Sequence, residues 1–296
     1  MKKHTLYALV TVCIWSTLAA VVKLQLTQVP NLQALAVSSY IAAAFLLLLN
    51  LIQGKGVQLR QLKRKDYAVM GGLGFLGLFL YSALYYYGLG TLSSQEACIL
   101  NYLWPIMLVL FSCPVLKEKM SLWKGAALLC SFFGIVILSA GGLSSGGTLD
   151  VGGAAACIVA AACYGLFSVL NKQRSYDQGI SMMVFWLVTA LCSTVLGLFT
   201  EQWVPLGFGQ WLGMLWMGVV VNAVAYLLWA LALEGAENTA AVANMAFLTP
   251  FLSLLVSALL LKERITLRAV LALVFIVGGI LLQKLVEGRK SASETK

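Results

Sequence analysis

Apolar stretches of about 20 residues recur from one end of this chain to the other, joined by connections too short to form a separate soluble unit. At ~1.5 Å per residue, such a stretch crosses roughly 30 Å of hydrocarbon as a helix. Lipid offers no partner to a backbone N–H or C=O, so only helices or a closed barrel can span it. The pattern argues against a barrel, because FLLLLNLI at 45–52 and the run 270–282 are apolar all round where barrel strands alternate. The stretches fall at 5–26, 32–53, 67–88, 94–114, 121–140, 151–172, 181–200, 210–233, 238–261 and 266–286. The expected fold is therefore all-α and integral to the membrane, with ten transmembrane helices. Composition agrees: 61% of the 296 residues are hydrophobic and 10% charged, more apolar surface than one soluble core could bury.

The net charge of +9 is an orientation signal and not a mark of nucleic-acid binding. With both termini cytoplasmic, sixteen of the twenty Lys and Arg residues face inward, among them Lys2, Lys3, Lys55, Arg60, Lys63, Arg64, Lys65, Lys117, Lys119, Lys172 and Lys296. Lys23, Lys262, Arg264 and Arg268 face outward, and Lys262 with Arg264 form the one dissenting loop. This bias predicts a multi-pass protein of the cell inner membrane with both termini in the cytoplasm. The seven cysteines show no CxxC or Cys/His spacing, and His4 is the only histidine, so neither a metal site, a cofactor nor a disulfide framework is expected.

The chain repeats itself. A shift of 145 residues lays Pro105 on Pro250, Tyr81 on Tyr226, Gly90 on Gly235, Gly134 on Gly279 and LKEKMSL (116–122) on LKERITL (261–267). A shift of 149 lays IWSTLAAVVK (14–23) on CYGLFSVLNK (163–172), which makes the first stretch a structural helix despite its leader-like KKHTLYALVTVCIWSTLAA. Five spans per half force the second half to enter the membrane upside down. The halves divide at 1–145 and 146–296, and the basic loop 55–65 of the first has a counterpart near 201–210 with no Lys or Arg. Two inverted five-helix repeats are a transporter architecture, with the site near mid-membrane between them.

Within CILNYLWPIMLVL (98–110), Pro105 removes a backbone donor and pushes off the carbonyl of Asn101. Pro250 does the same to the carbonyl of Ala246, near Asn244. Freed backbone groups are tolerated in a membrane only where protein or a water-filled cavity receives them, so these two broken helices are expected to line a central path. Trp15, Tyr81, Tyr85, Tyr102, Trp104, Tyr164, Trp186, Tyr226 and Trp229 lie well inside the spans, whereas membrane Trp and Tyr usually mark the interfaces. Aromatic walls suit flat or cationic guests. For each ring alone, interhelical packing or an interfacial anchor is an equal explanation, and for each proline alone the alternative is a kink made for packing. No Asp, Glu, Lys or Arg falls near the centre of a span, and SSQE (93–96) reads as a capping box with Glu96 reaching back to Ser93. GGLGFLG (71–77) and AAACYG (160–165) allow close helix approach. No catalytic constellation is visible, so an enzyme is not expected.

With these motifs in order, namely IWST (14–17), LNYLWP (100–105), NK (171–172), YLLW (226–229) and FLTP (247–250), the sequence resembles the EamA family of the drug/metabolite transporter superfamily over its full length. Within that family it looks most like the bacterial aromatic amino-acid exporters. The resemblance implies a cavity lined by helices one to four and six to nine, with the fifth and tenth packed outside as support. It also implies export of aromatic amino acids or related amphipathic metabolites by alternating access. Through the matching motifs it points to Trp15, Ser16, Asn101, Tyr102, Trp104, Pro105, Trp229 and Pro250. Leu248 departs from the aromatic that usually precedes Thr-Pro in this family. The partners expected are a small-molecule substrate and the bilayer, with Asn101, Asn244 and the proline-freed carbonyls facing a substrate ammonium. The alternative is export of another small solute, such as a cationic drug or an amine. The sequence is silent on oligomeric state, because Leu-rich faces pack equally well on lipid or on a second copy.

Overall fold

The computed structural model describes residues 3–21, 24, 28–92, 97, 100–139, 150–261 and 267–294. The capping box at 93–96, Cys98, Lys2, Lys23, Lys262, Arg264 and Lys296 lie outside the described residues. Among those described there is no strand, and each expected stretch contains helix. In chain order the helices are α1 (Lys3–Trp15, followed by a short piece Leu18–Val21), α2 (Asn31–Ile52), α3 (Arg64–Thr91), α4 (Trp104–Leu116) and α5 (Leu122–Ser139). Then come α6 (Val151–Lys172), α7 (Gln178–Thr200), α8 (Phe208–Glu234), α9 in two pieces (Thr239–Met245 and Leu248–Leu261) and α10 (Leu267–Glu294). Five of them, α2, α3, α6, α7 and α8, are each long and apolar enough to cross a bilayer, and α4, α5, α9 and α10 contain shorter apolar helices.

The helices pair in a pattern that survives exchange of the two halves. α5 packs on α10 and α2 on α7, each on its own repeat mate. α3 packs on α6 as α8 packs on α1, and α4 on α6 as α9 on α1. The backbone repeats as well: α3 is π-helical over Phe75–Leu80 and α8 over Trp216–Ala225, overlapping positions under the 145-residue shift. A π segment skews the regular ladder and re-aims the side chains beyond it, here Tyr81 and Tyr226, each the first residue after its segment. Small residues make room at both places. A Cβ on Gly218 would stand 2.6 Å from Cβ of Ile41, and one on Gly77 would run into the Phe167 ring. Cross-helix hydrogen bonds tie the α8 segment down, from Thr11 Oγ1 to the Ala225 carbonyl (3.1 Å) and from Asn222 Nδ2 to Ser38 Oγ (3.2 Å).

α5 and α10 form a pair of their own. Ser131 Oγ donates to the Ile276 carbonyl (3.2 Å), and the mates Gly134 and Gly279 each admit the other helix. A Cβ on Gly134 would lie 2.8 Å from the Ala272 carbonyl oxygen, and one on Gly279 would lie 2.6 Å from that of Ala127. Backbones in such contact are the usual glue of membrane helices.

The two ends of the bundle are fastened differently. At one end α2, α4, α6 and α8 finish while α7 and α9 begin. There Lys117, in the left-handed conformation (φ 57°), ends α4 and turns Glu118 toward Lys172. Lys172 Nζ pairs with Glu118 Oε1 at 3.2 Å and donates to the Ala236 carbonyl and to Thr239 Oγ1, both at 2.8 Å. Thr239 returns two hydrogen bonds to Glu118, one from its backbone N–H (3.2 Å) and one from its hydroxyl. Beside this latch, Lys55 pairs with the α7 cap Asp177 at 2.7 Å. Burial pushes the nearby Tyr176 phenol up to about 12 against a smaller downward pull from Arg174, so it stays protonated and donates to Asn171 Oδ1 (3.4 Å). At the other end, Glu201 closes α7 and caps α2, accepting from the N–H groups of Leu32 (2.9 Å) and Gln33 (3.1 Å), while Gln33 and Val204 exchange two further bonds. A carboxylate at a helix N-terminus satisfies orphan donors and complements the dipole.

Two outcomes are expected. Gly279→Val should lower the thermal midpoint of the detergent-solubilised protein, by an overpacking cost of about 1–3 kcal/mol, whereas Gly278→Val, with nothing within 4 Å of its Cβ position, should leave it unchanged. Lys172→Met should destabilise more than the double variant Lys172→Met/Glu118→Gln, because the single change strands a largely buried carboxylate; a difference of roughly 1–3 kcal/mol in a double-mutant cycle of thermal unfolding would show it.

Candidate functional site

Helical spacing puts Tyr81 and Tyr85 on one face of α3, and Tyr226 and Trp229 on one face of α8. Trp15 ends the first piece of α1, Trp104 opens α4, Tyr164 lies within α6 and Trp186 within α7. These eight rings meet. Trp104 stands edge-on to Trp15 (centroids 6.3 Å, 87°), Tyr164 (5.0 Å, 90°) and Trp229 (5.5 Å, 82°). Tyr226 lies 5.2 Å from Trp15, 5.0 Å from Trp186 and 6.1 Å from Tyr164. Tyr81 touches Tyr164 at 5.1 Å and stacks on Tyr85 at 6.1 Å and 5°. Edge-to-face pairs of this kind add about 0.5–1.5 kcal/mol each beyond their buried area. Tyr164 continues the chain of rings to Phe167 (5.9 Å) and from there to Phe185 (5.2 Å), two residues that the sequence pattern did not single out. Inside an all-apolar stretch a Phe carries no signal that separates a site wall from lipid-facing packing.

The remaining expected residues stand around this cluster in different roles. Asn101 is buried and accepts a hydrogen bond from the Tyr81 hydroxyl (3.0 Å). Tyr102 lies on the turn at 102–103, half-buried against the core, and buried Pro105 occupies the first turn of α4 just after it. α9 breaks at the matching place, 246–247, with half-buried Pro250 in the first turn beyond. The Ala246 carbonyl that the proline was expected to free instead accepts from the Thr249 N–H at 3.0 Å, a one-residue tightening that absorbs the acceptor. Asn244, in the first piece of α9 beside α1 and α4, is fully buried with no partner for either amide atom. A third interruption is in α1, at 16–17, with neither Pro nor Gly to announce it. There Ser16 donates to the Cys13 carbonyl (2.6 Å) and Thr17 to that of Ile14 (2.8 Å), so both hydroxyls hold the turn.

Several polar atoms in the cluster have no partner: the indole N–H groups of Trp15, Trp186 and Trp229 and the Tyr164 hydroxyl. A buried donor left unsatisfied costs about 1–3 kcal/mol, and native interiors contain few. A narrow crevice of only about 10 Å³ lies among Tyr164, Tyr226 and Trp229 and is lined further by Ser168, Asn171 and Lys172 of the latch. At the opposite end a wider cleft of about 240 Å³ opens between Asn31, Tyr86, Tyr87, Thr200 and Glu201. The arrangement is an aromatic-walled centre between two ends, one held by ion pairs and the other open.

Comparison with known proteins gives this geometry a context. The sequence profile of the EamA-like transporter family matches residues 2–140 and again 151–283, once in each half. The chain is 25% identical over 300 residues to the uncharacterized transporter YoaV of Bacillus subtilis (strain 168), covering 98% of this chain and 99% of that one. It is 28% identical over 237 residues to the aromatic amino acid exporter YddG of Ancylobacter novellus, covering 78% and 79% of the two chains. One solved crystal structure matches with a TM-score of 0.86 over 97% of this chain and 98% of its own, at 24% identity, which bears on the fold alone. A profile that matches both halves, on a helical bundle closed around buried rings, identifies a two-repeat membrane transporter: the chain belongs to the EamA-like transporter family.

Proposed function

We propose that this transporter exports aromatic amino acids, or related amphipathic metabolites, across the cell inner membrane by alternating access. The observation that carries the reading is the convergence of eight Trp and Tyr rings from α1, α3, α4, α6, α7 and α8 on one buried centre. A planar solute can replace those ring-to-ring contacts with its own. Support for the cargo class comes from the aromatic amino acid exporter to which the chain is 28% identical. The halves, 1–145 and 146–296, enter the membrane in opposite senses in ten crossings, a reading favoured by helix pairings that survive exchange of the halves. Both termini are cytoplasmic, since the connections at the Lys172 end carry Lys55, Arg60, Lys63, Arg64, Lys117 and Lys119. On that orientation the ion-paired end faces the cytoplasm and the wider cleft faces out, as in a conformer poised to release cargo.

Purified protein in vesicles, loaded with a panel of amino acids and amines with and without a pH gradient, tests the reading directly. Flux of phenylalanine, tyrosine or tryptophan is expected, and expressing cells should resist toxic analogues of these. Flux of a cationic amine with none for any aromatic amino acid would sink the proposal. Trp229→Ala should cut the initial rate at least tenfold, through lost stacking of about 1–3 kcal/mol. Tyr81→Phe should raise the half-saturating concentration roughly fivefold, because it releases Asn101 from a hydrogen bond worth about 1 kcal/mol.

A further inference from the structure

The polar groups of the aromatic centre are unbalanced in a way that selects one end of a bifunctional solute. Three of the unpartnered atoms there, Nε1 of Trp15, Trp186 and Trp229, can only donate, and the Tyr164 hydroxyl can donate as well. Trp186, Trp229 and Tyr164 are 2%, 2% and 3% exposed, so their donors are turned away from bulk solvent. Of the acceptors that the sequence offered, Asn101 Oδ1 takes the Tyr81 hydroxyl and the Ala246 carbonyl takes the Thr249 N–H, while Asn244 Oδ1 has no partner but is matched by its own unpartnered Nδ2, so donors remain in excess.

Carboxylates are equally distant from this centre. The described Asp and Glu residues stand in the connections or at helix ends, with Glu118 committed to Lys172 and Thr239 and Glu201 to the N-terminus of α2. Aromatic faces could still receive a cation. Here, though, the rings already partner one another, Trp104 at near-right angles to three of them and Trp186 to Tyr226, so a cation on a ring face would compete with contacts already made.

We infer that the cluster of Trp15, Tyr164, Trp186 and Trp229 recognises its solute through an acceptor group, a carboxylate or carbonyl carried on a flat ring, and that the solute's ammonium contributes little. The inference rests on the proposed export function and names the part of the cargo that is read. It reverses the expectation drawn from the prolines, which offered carbonyls to an ammonium. A site built of donors discriminates strongly against a ligand lacking the acceptor, because its N–H groups then stay buried and unpaired.

Direct binding to the purified protein in detergent, by calorimetry, separates the two ends of the cargo. The probes are 3-phenylpropionate, which has ring and carboxylate without amine, and phenethylamine, which has ring and amine without carboxylate. 3-Phenylpropionate is expected to bind at least tenfold more tightly. Trp229→Phe, which keeps a ring and removes one donor, is expected to weaken 3-phenylpropionate about fivefold more than it weakens phenethylamine. Tighter or equal binding of phenethylamine, binding of neither probe, or an equal loss of both in Trp229→Phe would overturn the inference. Because no flux is measured, the export proposal fails or stands separately: the probe order can hold with no phenylalanine transport, and phenylalanine can be carried while the order is reversed.

Discussion

In hydrocarbon a backbone N–H or C=O without a partner costs several kcal/mol, and this single constraint organises the molecule. It makes the described residues helical almost throughout and favours interruptions where neighbouring helices can receive them. The turns at 16–17, 102–103 and 246–247 sit next to, or on the same helices as, buried residues of the centre. Each is closed locally, by the Ser16 and Thr17 hydroxyls in α1, by the Leu103 N–H to the Leu100 carbonyl (3.2 Å) before α4, and by the Thr249 N–H in α9. A broken helix here is a means of placing side chains, and the bonds that close its turns come from nearby in the chain.

Duplication does the rest. Because α2 and α7, and α5 and α10, pack on their own repeat mates, the two copies meet around a common axis, and the unlike pairings α3 with α6 and α8 with α1 come in matched sets. Matched sets do not give identical walls. Tyr81 is half-buried and bonded to Asn101, whereas its mate Tyr226 sits among Trp15, Trp186 and Tyr164. Trp15 precedes a break in α1, whereas its mate Tyr164 lies in an unbroken α6, where Gly165 admits the backbone of α4 at Leu108. The two walls of the centre thus differ in chemistry although the helix pairings around it match.

The two ends of the bundle differ in a related way. Lys172, Glu118 and Thr239 bring α4, α6 and the start of α9 together in one charged knot, at the end where the narrow crevice stops. Glu201 does a different task at the far end, holding α2 to α7 through backbone N–H groups while a cleft stays open beside it. The ion pair of Lys172 and Glu118 is largely buried, so neither charge can lose its partner without leaving the other stranded.

The all-helical membrane fold, the repeat, the broken fourth and ninth helices and the aromatic residues of the centre were legible in the sequence, because each follows from local chemistry: hydrophobic length, charge bias, a missing proline N–H, an aromatic far from the interface. Tertiary structure decided what depends on neighbours. The break at Ser16 and Thr17 has no helix breaker of its own, and the π segments before Tyr81 and Tyr226 are favoured by what Gly77 and Gly218 admit from α6 and α2. The direction of hydrogen bonding could not be read either, since Asn101 and Asn244 carry the same amide and only packing made one an acceptor for Tyr81 and left the other without a partner. Sequence thus determined which groups would be buried in the membrane, and the fold decided which of them would be satisfied, because satisfaction is a property of distance between elements far apart in the chain.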